Sequence, residues 1–150
     1  MNKILDIYID GASRGNPGPS AVGIFIKDSQ GKDLVKRGEY IGETTNNVAE
    51  YEALKRALDW LTKNKSKEFA SSILKIHTDS ELMVNQLTGT YRIKSQNLIP
   101  LAIKARSLMK RFKRIEFKFI PRKDNKIADK LANKSMNLMD DIDDLKVTVL

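Results

Sequence analysis

The order of strand-like and helix-like runs constrains the fold of this chain more than any other sequence feature. Runs rich in β-branched and aromatic residues, separated by turn residues, lie at 4–9, 21–27, 34–41, 73–78 and 115–120. Helical periodicity covers about 46–63, 80–87, 98–112 and 126–138. The order β-β-β-α-β-α-α-β-α predicts an α/β fold with a mixed five-stranded sheet, antiparallel in its first three strands and flanked by helices.

The length of the chain fits one domain. Its 150 residues suffice to bury roughly two thirds of the unfolded surface, and neither a linker nor a repeat interrupts the pattern before residue 139. We therefore expect a single domain over 1–138 and an acidic tail over 139–150. The tail is expected either to be disordered or to add a strand over 146–150, and the sequence does not decide between the two.

Amino-acid composition excludes several kinds of functional site and argues against a membrane-spanning segment. The absence of cysteine rules out disulfides and thiolate chemistry, and a single histidine, His77, rules out polyhistidine zinc sites. We interpret His77 as structural. Because no apolar run approaches ~18 residues, we expect a soluble cytoplasmic protein without membrane contact.

The charge balance points to a polyanionic partner. The chain carries 27 Lys and Arg against 19 Asp and Glu, a net charge of +8. Seven of the cations fall within residues 104–118, which predicts a localised basic face on the helix at 98–112 and the strand after it. Nucleic acid is the first candidate partner, and an anionic membrane is the second.

Four carboxylates occupy positions where burial of a charged group costs free energy, so a functional role is favoured for them. Asp10 and Asp79 follow strands, and Asp129 lies at the edge of the apolar stripe of the last helix. Projection of residues 46–63 at about 100° per residue places Glu50 in the middle of the apolar face, whereas Glu52 falls among the charged residues on the far side.

Clustered acids repel one another unless a cation lies between them. Oxygen ligands without cysteine favour Mg²⁺ or Mn²⁺ over Zn²⁺. An acidic metal site within a protein of net charge +8 fits phosphodiester cleavage, in which one ion activates water and a second stabilises the departing oxygen.

Four segments, in this order, resemble the type 1 ribonucleases H. They read ILDIYIDGASRGNPGP at 4–19, TTNNVAEY at 44–51, TDS at 78–80 and NKIADKLA at 125–132. The resemblance covers nearly the whole chain up to about residue 138. It implies a metal-dependent endonuclease that cleaves the RNA strand of RNA–DNA hybrids with two Mg²⁺, for which Mn²⁺ is a possible substitute, held by Asp10, Glu50, Asp79 and Asp129.

The same resemblance implies a set of nucleic-acid contacts. Asn16, Asn47 and Asn85 are expected in or beside the minor groove, where amides pair with 2′-hydroxyls. The backbone around Gly11, Ala12 and Ser13 is expected close to the RNA strand. Thr45 and Asn46 resemble part of a pocket for a DNA-strand phosphate.

The sequence departs from many family members in two places. Its loop at 121–125 reads PRKDN, without the histidine that many bacterial members carry, and its segment at 88–95 lacks their basic protrusion. Hybrid binding is therefore expected to rely on Lys110 and Lys113, or otherwise on Arg14 and the Thr45 pocket.

Three alternatives to a monomeric hybrid nuclease stay open at this point. A relaxed enzyme would also cut double-stranded RNA, since the two departures leave the substrate range undefined. A non-catalytic nucleic-acid-binding module could use the same fold, and the chain could be a domain excised from a reverse transcriptase.

Overall fold

The elements of the fold follow the predicted order. The computed structural model describes residues 3–64 and 69–145. Its strands are β1 Ile4–Ser13, β2 Gly18–Asp28, β3 Asp33–Thr44, β4 Ile73–Thr78, β5 Arg114–Phe119 and β6 Ile142–Asp143. Its helices are α1 Asn46–Lys63, α2 Glu81–Leu87, α3 Ile99–Met109 and α4 Lys126–Leu138, and a 3₁₀ turn spans Arg122–Asp124.

One mixed sheet organises these elements in the spatial order β5-β4-β1-β2-β3-β6. The strands β1, β2 and β3 form an antiparallel meander, as predicted, whereas β4 and β5 run parallel to β1. Parallel neighbours end at the same edge of a sheet, so the segments that follow β4 and β5 lie side by side. Asp79 and the 3₁₀ turn are placed together in this way.

Helices cover both faces of the sheet. Helix α1 packs on β1 and β2, with α3 packed against α1, and α4 packs on β1, β2 and β3. The main core lies under α1, where Ile7, Ile24 and Leu54 are fully buried. On the α4 side the contact is made by Ala128, Leu131 and Ala132, all buried. Ile127, which the helical spacing of α4 would place with them, is instead 42% exposed.

Two glycines allow the helices to approach the sheet closely. A Cβ on Gly11 would overlap the backbone of Ala49 in α1, and a Cβ on Gly23 would overlap the carbonyl oxygen of Ala128 in α4. These obstructing atoms belong to backbone and cannot rotate away. The two contacts therefore fix how far the helices stand from β1 and β2.

Replacing Gly23 by alanine is expected to destabilise the protein by about 3 kcal/mol, because α4 must move to admit the methyl group. Urea unfolding measures this loss. Gly31→Ala is the control, since Gly31 has open space around it and only a positive φ of 85°, which costs about 1 kcal/mol. Equal losses in the two variants would contradict the close packing of α4.

The first strand is longer than the sequence indicated. Asp10 was expected at a strand end, but β1 continues to Ser13, and Gly11 to Ser13 pair with residues of β2. The small residues of this segment serve the approach of α1 in addition to the turn that follows. Thr45 is the N-cap of helix α1, and its Oγ1 accepts a hydrogen bond from the Val48 amide.

The expected five-stranded sheet gains a sixth strand from the acidic tail. Ile142 and Asp143 pair with Gly38 and Arg37 at the outer edge of β3. The strand expected over 146–150 lies outside the described residues. Among the helices that the structure describes, none is long and apolar enough to cross a bilayer.

Candidate functional site

Three carboxylates from three separate elements converge at one end of the sheet. Asp10 lies within β1, Glu50 in the second turn of α1, and Asp79 directly after β4. One oxygen from each lies within 4.8 Å of the others. Asp10 and Glu50 are only 6% and 8% exposed. Three acids so close together and so poorly hydrated form a site that favours a cation.

Glu50 is held by the close approach of α1 to β1. Its Oε1 accepts a hydrogen bond of 2.5 Å from the backbone amide of Gly11, the residue whose missing side chain admits the helix. The carboxylate is thus fixed toward Asp10. Glu52 points elsewhere, and its two oxygens pair with Lys55 and Arg56 at 3.0 and 2.9 Å. Glu52 is therefore paired within α1, although the sequence indicated an ordinary solvent charge.

Asp79 lies between the sheet and a cation. Ser80 caps α2 by accepting a hydrogen bond from the Met83 amide, which leaves the Asp79 carboxylate available to the site. The Nε of Arg122 lies 3.6 Å from Asp79 Oδ2. Arg122 itself is 86% exposed, so this guanidinium lies at the mouth of the acidic cluster and contacts solvent.

Asp129 approaches the cluster from α4. It shares a hydrogen bond with Asp10, and Asn133 Nδ2 donates to its Oδ1 at 3.1 Å. It is not among the three carboxylates that lie within 4.8 Å of one another. The structure therefore brings all four sequence-selected acids to one region, with three in a tight group and the fourth in contact with Asp10.

Burial and mutual repulsion change the ionisation of this group. Burial, followed by the charges of Glu50 and Asp79, raises the pKa of Asp10 to about 9. Burial also raises the pKa of Glu50 to about 8, although the hydrogen bond from Gly11 opposes that rise. Without a cation, the raised pKa values keep protons on this pair at neutral pH, and a bound cation must displace them.

The stability of the metal-free protein is expected to fall as pH rises from about 4 to about 9. In that window the folded state holds protons that the unfolded state has released, because the folded pKa values of Asp10 and Glu50 are the higher ones. Urea unfolding in a chelator at pH 5.5, 7.0 and 8.5 measures the slope. An Asp10→Asn variant should show a shallower slope, and equal slopes in both proteins would contradict the assignment.

An open cleft of about 320 Å³ contains the three acids. Its lining residues are Asp10, Gly11, Asn46, Asn47, Glu50, Asp79, Ser80, Phe119, Ile120, Pro121 and Arg122. Carboxylate oxygens are the ligands that Mg²⁺ and Mn²⁺ prefer, and neither cysteine nor histidine lines the cleft. The donor set therefore fits a hard divalent cation.

Residues expected to contact nucleic acid tie the first hairpin to α1. Asn46 Oδ1 accepts from the Ser13 amide at 3.0 Å, and the Asn46 amide donates to Asn16 Oδ1 at 3.0 Å. Ser13 Oγ donates to the carbonyl of Thr44 at 2.9 Å, one residue before the capping Thr45. These bonds form a continuous polar rim beside the cleft.

Other expected contact residues lie farther away. Asn85 is on α2, and Lys110 and Lys113 follow α3; none of the three lines the cleft, and both lysines are exposed. Arg14 Nη2 donates to Asn137 Oδ1 on α4 at 2.5 Å. The expected nucleic-acid contacts thus form two groups. One group lies along the polar rim of the cleft, and the other lies on the surface outside the cleft.

Five cleft residues, at positions 80 and 119–122, were not selected from the sequence. Ser80, Phe119 and Arg122 follow or end the parallel strands β4 and β5. Phe119 is 52% exposed and places a ring at the cleft rim. They could have been predicted from the topology, because the parallel strands β4 and β5 end at the same edge of the sheet. The same reasoning places Asp79 at this edge.

His77 lies on β4, and its side chain contacts residues of β1 outside the acidic cleft. Its Nε2 lies 2.9 Å from Asp6 Oδ1, and its ring stacks on Tyr8 at 4.3 Å. It does not line the cleft.

Sequence comparison identifies relatives of most of the chain. The family model described as reverse transcriptase-like matches residues 8–135. A ribonuclease HI of Halobacterium salinarum is 38% identical over 130 residues, which cover 87% of this chain and 63% of that protein. The bifunctional protein Rv2228c of Mycobacterium tuberculosis is also 38% identical, and the match covers 87% of this chain and 35% of that protein. The chain therefore spans less than two thirds of these relatives.

Solved structures resemble the chain over nearly its full length. RNase H1 of Halobacterium salinarum superposes with a TM-score of 0.83 at 36% identity, covering 89% of this chain and 98% of that one. LC11-RNase H1, solved in complex with an RNA/DNA hybrid, superposes with a TM-score of 0.85 at 41% identity, covering 90% and 98% of the two chains.

Proposed function

Since this chain belongs to the type 1 ribonuclease H family, we propose that it cleaves the RNA strand of RNA–DNA hybrids by metal-dependent phosphodiester hydrolysis. The observation that carries this proposal is the buried group of Asp10, Glu50 and Asp79 in an open cleft of a protein with net charge +8. A cluster of acids repels phosphates unless cations bind there, so it is suited to catalysis more than to binding alone.

We propose two Mg²⁺ ions as the cofactors, with Mn²⁺ as a substitute, and assign Asp10, Glu50, Asp79 and Asp129 as the residues that hold them. When bound, such ions supply an activated water and stabilise the departing oxygen. The protein's own part is to fix the acids before metal binds. The hydrogen bond from Gly11 orients Glu50, and that from Asn133 orients Asp129.

The substrate is proposed to lie across the polar rim and the cleft. Asn16, Asn46 and Asn47 are suited to 2′-hydroxyls and phosphates, and the backbone of Gly11 to Ser13 permits close approach of the RNA strand. Thr45 adds a hydroxyl at the N-terminus of α1, where anions are favoured. The DNA strand is proposed to extend toward Lys110 and Lys113, with Asn85 between the two regions.

Arg122 is proposed to occupy the position of the loop histidine found in other family members. Its contact with Asp79 and its exposure place a permanent positive charge where substrate enters the cleft. This charge offsets part of the repulsion between acids and phosphates before metal binds. We further propose that residues 1–138 form the domain that carries this activity, as a monomer in the cytoplasm.

One gel tests the proposal. The protein is incubated with labelled RNA–DNA hybrid, double-stranded RNA or double-stranded DNA, each with Mg²⁺ and with a chelator. Cleavage of the RNA strand of the hybrid in Mg²⁺ alone is expected. Equal cleavage of double-stranded RNA would identify a relaxed nuclease, and binding without cleavage of any substrate would identify a non-catalytic module.

A further inference from the structure

A row of five side chains crosses the sheet on the face that carries α4. Strand register places Lys118, His77, Tyr8, Phe25 and Lys36 beside one another on β5, β4, β1, β2 and β3. The three rings form a stack, with centroids 4.3 Å apart for Tyr8 and His77 and 5.7 Å apart for Tyr8 and Phe25. The row therefore has an aromatic centre and a lysine at each end.

The next row on the same face adds two lysines and two acids. Lys75 and Lys27 align on either side of Asp6, and Glu116 aligns with Lys75. Both acids already have partners: Asp6 contacts His77 at 2.9 Å, and Glu116 pairs with Arg114 at 2.9 Å. Lys27 also lies 5.8 Å from the centre of the Tyr8 ring.

We call the surface formed by Lys27, Lys36, Lys75 and Lys118 the basic sheet face. Its four lysines outnumber the three acids beside them, which are Asp6, Glu116 and Asp33. Each of these acids has a basic partner, and that of Asp33 is Lys36 at 3.4 Å. Neighbouring strands are about 4.8 Å apart, so the row from Lys118 to Lys36 spans about 19 Å. A line of cations of this length is complementary to a chain of phosphates, because a compact anion would contact only one or two of them.

A pocket of about 290 Å³ opens between the aromatic rings and the start of α4. Tyr8, Phe25 and Lys27 line one side of it, and residues 123–127, with Lys123 and Lys126, line the other. The pocket thus has an aromatic floor, with three lysines and one acid, Asp124, around it, and it is large enough for one planar base.

The segment 121–125 separates this pocket from the candidate active site. Pro121 and Arg122 line the acidic cleft, whereas Lys123 and the residues after it line the pocket. Asn125 Nδ2 donates to the carbonyl of Ile9 at 2.8 Å, which attaches the segment to β1 between Tyr8 and Asp10. The basic sheet face is therefore a surface distinct from the cleft.

We propose that the basic sheet face binds single-stranded nucleic acid. Its lysines contact the phosphates, and the pocket beside Tyr8 takes a base. A paired base cannot leave its stack to enter such a pocket without breaking its pair, so a single strand is favoured over a duplex. The surface would hold a strand displaced from, or continuous with, the hybrid in the cleft.

Fluorescence anisotropy tests the proposal without any hydrolysis. The probe is a labelled 15-nucleotide thymidine DNA strand, titrated with the full chain in a chelator at 50–200 mM salt. Because this probe contains no RNA, its binding reports on the basic sheet face whether or not the proposed nuclease activity holds. The test variant is Lys75→Gln/Lys118→Gln, and the control is Lys32→Gln/Lys63→Gln, which removes the same charge elsewhere.

The test variant should flatten the slope of log affinity against log salt by about 1.4, since each single-strand phosphate contact contributes about 0.7. At 0.1 M salt its affinity should fall by about tenfold or more, while the control stays within about twofold of the wild type. The thermal midpoint should be unchanged in both variants.

Three results would overturn the proposal. Equal losses of probe affinity in the test and control variants would show that affinity depends on the net charge of the protein and not on this face. An undiminished salt slope in the test variant would show that the strand binds elsewhere. Displacement of the probe by polyglutamate as readily as by unlabelled DNA would assign the face to an acidic protein partner.

Discussion

Replacing Asp10 by asparagine is expected to abolish hydrolysis of an RNA–DNA hybrid while leaving the fold intact. Asp10 lies close to Glu50 and Asp79, so its replacement removes one carboxylate of the proposed metal site. Metal ions supply several kcal/mol of transition-state stabilisation, and kcat should therefore fall by about a thousandfold or more.

Single-turnover cleavage of a labelled hybrid in Mg²⁺ measures this loss. Asp59→Asn is the matched control, because Asp59 lies on the outer side of α1 and pairs with Lys63 at 3.0 Å. Hybrid affinity in a chelator should be unchanged in Asp10→Asn, because the Asp10 carboxyl, with its pKa raised to about 9, is already neutral at pH 7 without metal. Near-normal turnover by Asp10→Asn would remove Asp10 from the metal site.

The same variant should be more stable than the wild type in the absence of metal. Keeping a carboxyl at this buried position is costly above pH 4, because its pKa is raised to about 9. Asparagine has no such cost, and it can still donate to Asp129. We expect a gain of about 1 kcal/mol or more at pH 7, measurable as a rise of a few degrees in the thermal midpoint. A variant that loses activity and gains stability would show that Asp10 serves the function of the site and does not stabilise the fold.

Glu50→Gln is expected to have the second largest effect. Glutamine can still accept the hydrogen bond from the Gly11 amide, so α1 keeps its place, but the charge that would face the cations is lost. We expect a fall in kcat of about a hundredfold or more. Without metal, the unfolding midpoint at pH 7 should rise, because the pKa of Glu50 is raised to about 8. A metal titration followed by calorimetry should show weaker binding in this variant.

Glu52→Gln provides a matched control two residues away. Glu52 pairs with Lys55 and Arg56 and does not line the cleft, so activity should stay within about twofold of the wild type. Loss of two partly exposed helix pairs should cost about 0.5 kcal/mol of stability. An inactive Glu52→Gln protein beside an active Glu50→Gln protein would reverse the assignment.

Periodicity was sufficient to find the position of Glu50. Its neighbours at helical spacing, Leu54, Ala57 and Leu58, are all buried, and any straight helix carries them on one face. Asp79 was equally accessible to sequence analysis, because the apolar run that precedes it ends abruptly. Local pattern alone therefore locates both residues on their elements.

Long-range contacts account for what the sequence did not predict. Gly11 was expected close to the RNA strand, and no local pattern indicated a second role for it. Its missing side chain also allows α1 to approach β1, a contact between residues 39 positions apart in the sequence. Arg122 was likewise visible as a cation, but its contact with Asp79 depends on β5 lying beside β4.

The two-residue strand β6 protects one border of the sheet from other chains. An uncovered edge strand offers its free amides and carbonyls to any extended segment, which is a route to aggregation. Here Ile142 and Asp143 cover the middle of β3, Asp141 Oδ1 accepts from the Tyr40 amide, and the Asp144 amide donates to the carbonyl of Lys36. Arg114 and Lys118 place charges along β5 at the opposite border, which discourages pairing there. The acidic segment after α4 therefore contributes to the solubility of the sheet by occupying hydrogen-bonding positions that another molecule would otherwise take.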